Sequence, residues 1–115
     1  MISMHRGEIW LINLDPTVGA EIKKARPAVI LNVDEVGVLP LRVIVPITTW
    51  KDHYSQAPWL VKVQPTKENG LDQTSAADAF QIRSLSIERF IHSIGKVDSE
   101  MLSPILEAVQ IVLGL

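Results

Sequence analysis

Pro27-Ala28-Val29-Ile30-Leu31-Asn32-Val33 is the stretch from which the fold is read. A continuous apolar run of this length fits a strand buried on both faces. Asp34-Glu35-Val36-Gly37 breaks it, and Leu41-Arg42-Val43-Ile44-Val45-Pro46-Ile47 reads as another strand. Pro46 has no N–H to give to a ladder, so a bulge or a strand end is expected there. Upstream, Gly7-Glu8-Ile9-Trp10-Leu11-Ile12-Asn13-Leu14 has β-rich content with imperfect alternation, and Asp15-Pro16-Thr17-Val18-Gly19 ends it with turn residues.

Downstream the pattern loosens and then changes. Residues 48–58 are polar without a period and read as a loop. Trp59-Leu60-Val61-Lys62-Val63-Gln64 alternates, as a strand with one wet face does. A second polar loop, 65–74, holds Asn69-Gly70, a strong tight-turn signal. Ser75-Ala76-Ala77-Asp78-Ala79-Phe80 is weakly β, residues 86–89 fit one helical turn, and 90–97 fits a last strand. In the tail, Met101, Leu102, Ile105, Leu106, Val109, Val112 and Leu113 recur at helical spacing. Asp98 or Ser99 can cap that helix, and Gly114 stands where a C-cap glycine would. Pro104 removes a backbone bond in a helix begun at Ser99, so one turn, a kink and then the main helix are expected. Several short strands followed by a helix imply a small, mostly antiparallel barrel with a helix packed outside it.

Composition narrows the function classes. A chain of 115 residues is expected to form one domain, residues 1–115, large enough for a real core but small enough to gain from a partner subunit. Apolar residues at 47% and charged residues at 21% are an ordinary globular balance. No apolar run approaches a membrane span and the N-terminus lacks a signal-peptide pattern, so a cytoplasmic location is expected. Without cysteine there is no disulfide, thiol nucleophile or thiolate zinc site. His5, His53 and His92 share no metal-ligand spacing, and no metal site is expected. The net charge of −2 argues against a protein that coats nucleic acid non-specifically. The negative charge is concentrated in residues 98–115, at −3, and residues 1–97 carry +1, which leaves room for a local basic site.

One charge cluster stands out. Glu21-Ile22-Lys23-Lys24-Ala25-Arg26 puts one carboxylate and three cations between Gly19 and Pro27. A strand connection needs turn residues, which Asp15-Pro16 and Gly19 already supply; it does not need Lys-Lys-x-Arg. The cluster fits either a phosphate contact or a solvated charged loop.

The loop belongs to an ordered set. Arg6-Gly7-Glu8-Ile9-Trp10 leads into residues 14–27; then come Val45-Pro46-Ile47-Thr48-Thr49, Phe80-Gln81-Ile82-Arg83-Ser84 and Val112-Leu113-Gly114-Leu115. Together, in this order and spacing, they resemble the MazF/PemK family of toxin endoribonucleases from bacterial toxin–antitoxin pairs. The resemblance implies an SH3-like or CcdB-like antiparallel barrel with a C-terminal helix, and a homodimer. It implies metal-independent cleavage of single-stranded RNA at short sequences, leaving a cyclic phosphate and a free 5′-hydroxyl, with no cofactor. It also implies a small cognate antitoxin as partner. Carried over position by position, the catalytic arginine falls on Arg26, the catalytic threonine on Thr48 and the loop glutamate on Glu21. Gln81 and Arg83 match the family's Gln-Ile-Arg and, with Thr49 and the charges of Lys23 and Lys24, are the expected RNA contacts. The chain departs from the family pattern at Ile22-Lys23-Lys24, where many members carry small residues, at Phe80, where an acidic residue is common, and at Ala76-Ala77-Asp78-Ala79, where a more aliphatic run is common.

The chemistry asked of these residues is coherent. Attack by the neighbouring 2′-hydroxyl needs a proton removed, phosphorane charge stabilised and a leaving oxygen protonated. The planar fork of Arg26 can hold two phosphate oxygens, but it stays charged and is a poor base. Thr48 can donate a hydroxyl hydrogen bond. Glu21 is the only carboxylate of the loop, suited to act as base or to orient Arg26. Lys23 and Lys24 can steer the strand electrostatically. The residues alone also fit plainer roles: an Arg26–Glu21 salt bridge, a strand-end threonine, sheet-edge polar residues at 81 and 83. Trp50 fits a base-stacking platform or a side chain folded on the core, and Trp10 and Trp59 fit packing. A non-enzymatic CcdB-like binding module on the same barrel is the reading from another class.

Overall fold

The computed structural model describes residues 3–36 and 38–115. Seven strands precede one helix: β1 Glu8–Asn13, β2 Ala25–Ile30, β3 Leu41–Thr49, β4 Leu60–Val63, β5 Ser75–Asp78, β6 Arg83–Ser86, β7 Phe90–Lys96 and α1 Ser99–Leu113. All pairings are antiparallel. The hydrogen-bonded order is β4-β5-β3-β2-β1-β7, with β6 also on β3. The mostly-β fold with a terminal helix is as the periodicity predicts. β4 and β7, the ends of the order, do not pair, so strands alone do not close the sheet. The turn after β4 reaches β7 instead, where Lys96 N donates to the Glu68 carbonyl at 2.9 Å.

The sheet buries side chains on both faces, as the unbroken apolar runs require. On one face Ile9, Val29, Leu31, Val45, Ile47, Val63 and Ala77 form a core with Ile105 of α1. On the other, Ile12, Leu14, Ala28, Ile30, Ile44 and Leu85 pack together, flanked by Met4, Trp10, Ile22 and Phe90. Successive residues of β2 and β3 alternate between these clusters, which is the period of two written in atoms.

Four boundaries differ from the sequence reading. β2 starts at Ala25 because Arg26 pairs opposite Ile12 of β1. Thr48 and Thr49 continue β3 and are not loop residues, since they pair with Ala76 and Ser75 of β5. Available ladder partners override their polar character. Trp59 lies in the turn just before β4. Helix α1 runs unbroken from Ser99 to Leu113 with Pro104 inside it, against the expected interruption. The Asp98 carboxylate caps it by accepting from Met101 N at 2.9 Å, and Gly114 ends it at φ 69°. Pro104 costs only the bond to Glu100, close to the helix start, while Met101, Leu102, Ile105, Leu106 and Val109 all pack on the core.

β5 and β6 are one strand interrupted. Both run along the same strand β3, with Ala77 opposite Ile47 and Arg83 opposite Ile44. Residues 78–82 therefore face only Val45 and Pro46, and the surplus loops out as a 3-10 turn, Ala79–Gln81. The Val43 carbonyl accepts from Leu31 N on the β2 side, so by alternation the Pro46 nitrogen faces the other edge, where this turn leaves the ladder. A residue with no N–H stands where no N–H is wanted, and the bulge expected at Pro46 is found in its partner strand.

Candidate active site

The loop from β1 to β2 carries the charge cluster, and three contacts hold it. Arg89, in the 3-10 turn Ile87–Arg89, donates through Nη1 to the carbonyls of Asn13 and Asp15. Leu14 N donates to the Lys24 carbonyl at 2.9 Å. Ile22 N donates to Gln81 Oε1 at 2.6 Å, across 59 residues of sequence. Lys24 itself takes φ 70°, a left-handed conformation unusual for a residue with a Cβ.

Arg26 and Thr48 share a face. Ala28 pairs with Pro46 between β2 and β3. Arg26 lies two residues before Ala28 and Thr48 two residues after Pro46, so both keep the side of Ala28 and Ile44, away from α1. β3 then leaves β2 and carries Thr48 onto β5. Both side chains are half-buried at the same end of the sheet.

The Arg26–Glu21 salt bridge, one of the alternatives the residues allow, is not formed. Among the described residues the ion pair found is His5–Asp34, at 3.6 Å. Arg26 Nε donates to the Lys23 carbonyl at 3.3 Å. Glu21 Oε1 accepts from Val18 N and closes its own turn. Arg26, Arg83, Lys23 and Lys24 are thus cations with no carboxylate partner among the described residues. No group of three or more His, Asp or Glu side chains among them is placed to hold a metal ion.

A groove of about 480 Å³ lies beside the loop, lined by Leu14, Ala20, Glu21, Ile22, Pro46, Phe80, Gln81, Ile82 and Arg83. It brings Glu21, Gln81 and Arg83 together; Arg26 and Thr48 are outside its lining. Thr49 is exposed and its hydroxyl accepts from Gln73 Nε2 at 2.8 Å. Trp50 meets Tyr54 edge-on at 5.8 Å, with Lys62 Nζ 5.3 Å from its ring centre, so it is a packed side chain. Trp10 packs on Phe90 and donates through Nε1 to Glu8.

Two residues that sequence reasoning left without a role belong to this region. Phe80 is 64% exposed at the groove and meets Trp59 edge-on at 5.8 Å. Asp78 is buried, and its carboxylate accepts from Phe80 N and Gln81 Nε2, each at 3.1 Å. Burial pushes its carboxyl above the usual range, and the bonds from Phe80 and Gln81 oppose that rise. An Asp two residues before a turn N–H is the signal that could have marked it.

The chain belongs to the PemK-like, MazF-like toxins of type II toxin–antitoxin systems, whose family model matches residues 5–113. Endoribonuclease MazF9 of Mycobacterium tuberculosis is 35% identical to it over 118 residues, covering 97% of this chain and 98% of that one. Endoribonuclease EndoA of Bacillus subtilis is 29% identical over 112 residues, covering 97% and 96%. Among solved structures, an endoribonuclease in complex with its cognate antitoxin from Mycobacterial species aligns with a TM-score of 0.78 at 21% identity, over 98% of this chain and 97% of that one. This last match is a likeness of fold.

Proposed function

We propose that this chain is the endoribonuclease toxin of a type II toxin–antitoxin pair, cutting single-stranded RNA at short sequences. It works as one domain over residues 1–115, as a homodimer, in the cytoplasm, with a cognate antitoxin as its inhibitor. The family match and the endoribonuclease relatives support this reading. The observation that carries it is the guanidinium of Arg26, without a carboxylate partner among the described residues and half-buried on the same face as the Thr48 hydroxyl.

In this mechanism the 2′-hydroxyl attacks the adjacent phosphate and expels the 5′-oxygen, which takes a proton from solvent, leaving a cyclic phosphate and a free 5′-hydroxyl. Arg26 forks onto two phosphorane oxygens and gains most as charge builds there. Thr48 donates to the same phosphate. Glu21 takes the 2′-hydroxyl proton; the other role considered for it, orienting Arg26, falls to the Lys23 carbonyl. Lys23, Lys24, Thr49 and Arg83 guide the strand, with Gln81 on the groove wall. Lys24 holds a left-handed backbone that glycine or asparagine adopts more cheaply, which supports a use for its side chain.

The test is incubation of the protein with mixed single-stranded transcripts in excess chelator, followed by mapping of the ends. Recurrent cuts with cyclic-phosphate termini are expected. Absence of cleavage, or equal cleavage by Arg26→Ala, overturns the proposal. Toxicity that survives loss of both Arg26 and Thr48 would place the chain with the non-enzymatic modules instead.

A further inference from the structure

Gln81 sits in a chain of hydrogen bonds whose polarity is dictated from both ends. At one end Phe80 N can only donate, and Asp78 Oδ1 accepts it at 3.1 Å. In the ionised carboxylate the other oxygen, Oδ2, accepts as well, and it meets Gln81 Nε2 at 3.1 Å. That fixes the amide: Nε2 points to Asp78, so Oε1 points the other way. There it meets Ile22 N, which can only donate, at 2.6 Å. Nε2 also reaches the Ala20 carbonyl at 3.5 Å. Both ends of the Gln81 amide are therefore engaged by the protein.

The far end of this chain leads to Arg26. Ile22 is followed by Lys23, whose carbonyl accepts from Arg26 Nε. Lys24, next along, takes the left-handed turn and is tied to Leu14 through its own carbonyl. A displaced Ile22 moves the Lys23 carbonyl and with it the guanidinium.

We propose that Asp78 and Gln81 form a positioning pair that holds the loop at Ala20–Ile22 and thereby aims Arg26, and that Gln81 acts on the loop and not on the RNA. This rests on the reading of Arg26 as the phosphate-binding group. The departure from the family pattern at residues 76–79 acquires a use, because it supplies a buried acceptor at position 78. The 3-10 turn supplies the geometry, since it lifts Gln81 out of the ladder that β5 and β6 share.

Polarity makes the pair testable by reversal. Asp78→Asn turns an NH2 toward Nε2; if the Gln81 amide flips to accept it, an NH2 then faces Ile22 N. Gln81→Glu sets two carboxylates against each other. The double variant Asp78→Asn/Gln81→Glu restores every bond except the long one to Ala20. In it the introduced amide at position 78 accepts from Phe80 N and donates to the introduced carboxylate at position 81, whose second oxygen accepts from Ile22 N.

Each single change should lower kcat for RNA cleavage about 10-fold or more, with KM and the mapped cleavage sequence unchanged. Hydrogen exchange at the Ile22 amide should quicken in step. The double variant should return kcat to within about 3-fold of the parent and restore Ile22 protection, a coupling that two independent sites would not show. A double variant no better than the worse single one overturns the proposal. So does a changed cleavage sequence with Ile22 protection intact, which would make Gln81 a base reader. If the parent protein does not cleave RNA, the reading of Arg26 fails by itself, and Ile22 exchange across the three variants still decides whether the pair holds the loop.

Discussion

The backbone N–H of Lys96 in β7 donates to the Glu68 carbonyl at 2.9 Å, joining the turn after β4 to the opposite edge strand. Two glycines permit that approach. A Cβ on Gly95 would lie 2.4 Å from the Glu68 carbonyl oxygen and 2.6 Å from the Asn69 carbonyl carbon. A Cβ on Gly70, at φ 67°, would lie 2.4 Å from the Ile94 carbonyl oxygen. Backbone meets backbone, so no side chain can rotate away. Asn69 builds the turn from inside, accepting from Thr66 N and Leu71 N and donating to the Gln64 carbonyl.

Gly95→Ala is therefore expected to destabilise the fold by about 1–3 kcal/mol, the range for forcing atoms into a filled site. The urea midpoint should fall with an unchanged slope. An unchanged midpoint would show that the turn yields without cost.

Arg42 is the largest buried polar side chain, 1% exposed, and its guanidinium donates to the carbonyls of Met4, Leu39 and Leu41. Those bonds satisfy a buried cation without a carboxylate and tie the N-terminal segment to the start of β3. Arg42→Met keeps much of the volume and orphans the carbonyls. A loss of about 3 kcal/mol is expected in denaturant titration, because unmet buried groups cost more than a formed bond gains.

Arg26→Ala should reduce kcat by about 10²–10³-fold, the usual cost of removing one preorganised donor to a developing oxyanion. Arg26→Lys should recover only part, because an ammonium keeps the charge and loses the fork. Single-turnover rates on one short RNA separate these from binding. Full activity in the lysine variant would mean that charge alone suffices.

Lys24→Asn should raise stability by up to about 1 kcal/mol, since asparagine tolerates the left-handed conformation that lysine resists. If Lys24 meets a phosphate, the same variant should also flatten the salt dependence of RNA binding by about 0.7 in log–log slope. Greater stability with an unchanged slope would assign Lys24 to solvent.

Asp78 predicts a pH effect of definite sign. Its folded pKa lies above the ordinary value of 3.8, so the folded state holds that proton more tightly than the unfolded state. Its contribution to stability is greatest below the unfolded value and declines as pH rises through the folded one. The stability of the parent minus that of Asp78→Asn should therefore fall with rising pH on the acid side and then level off. Urea titrations at stepped pH measure it, and a difference that grows with pH would contradict the burial argument.

The strands β1 to β3, β4 and β7, the terminal helix and its caps were legible in the sequence because each is written as a local period or a local cap. The buried face of a strand and the stripe of a helix follow from residue spacing alone. Glu21, Arg26 and Thr48 could be named as candidates through the family resemblance, whose motifs are short in span. Other features depended on partners distant in the chain. Thr48 and Thr49 became strand residues because β5 lies alongside to pair with them. Pro104 stayed within one helix because the core packs on both sides of it. Glu21 in the loop and Arg26 at the start of β2, five residues apart, did not pair, since a backbone carbonyl and a turn N–H took their places. Gln81 met Ile22 only through a bulge that exists because five residues of one strand face two of another. Local spacing determines which face a side chain takes, whereas hydrogen-bond partners brought from across the fold decide what it does there.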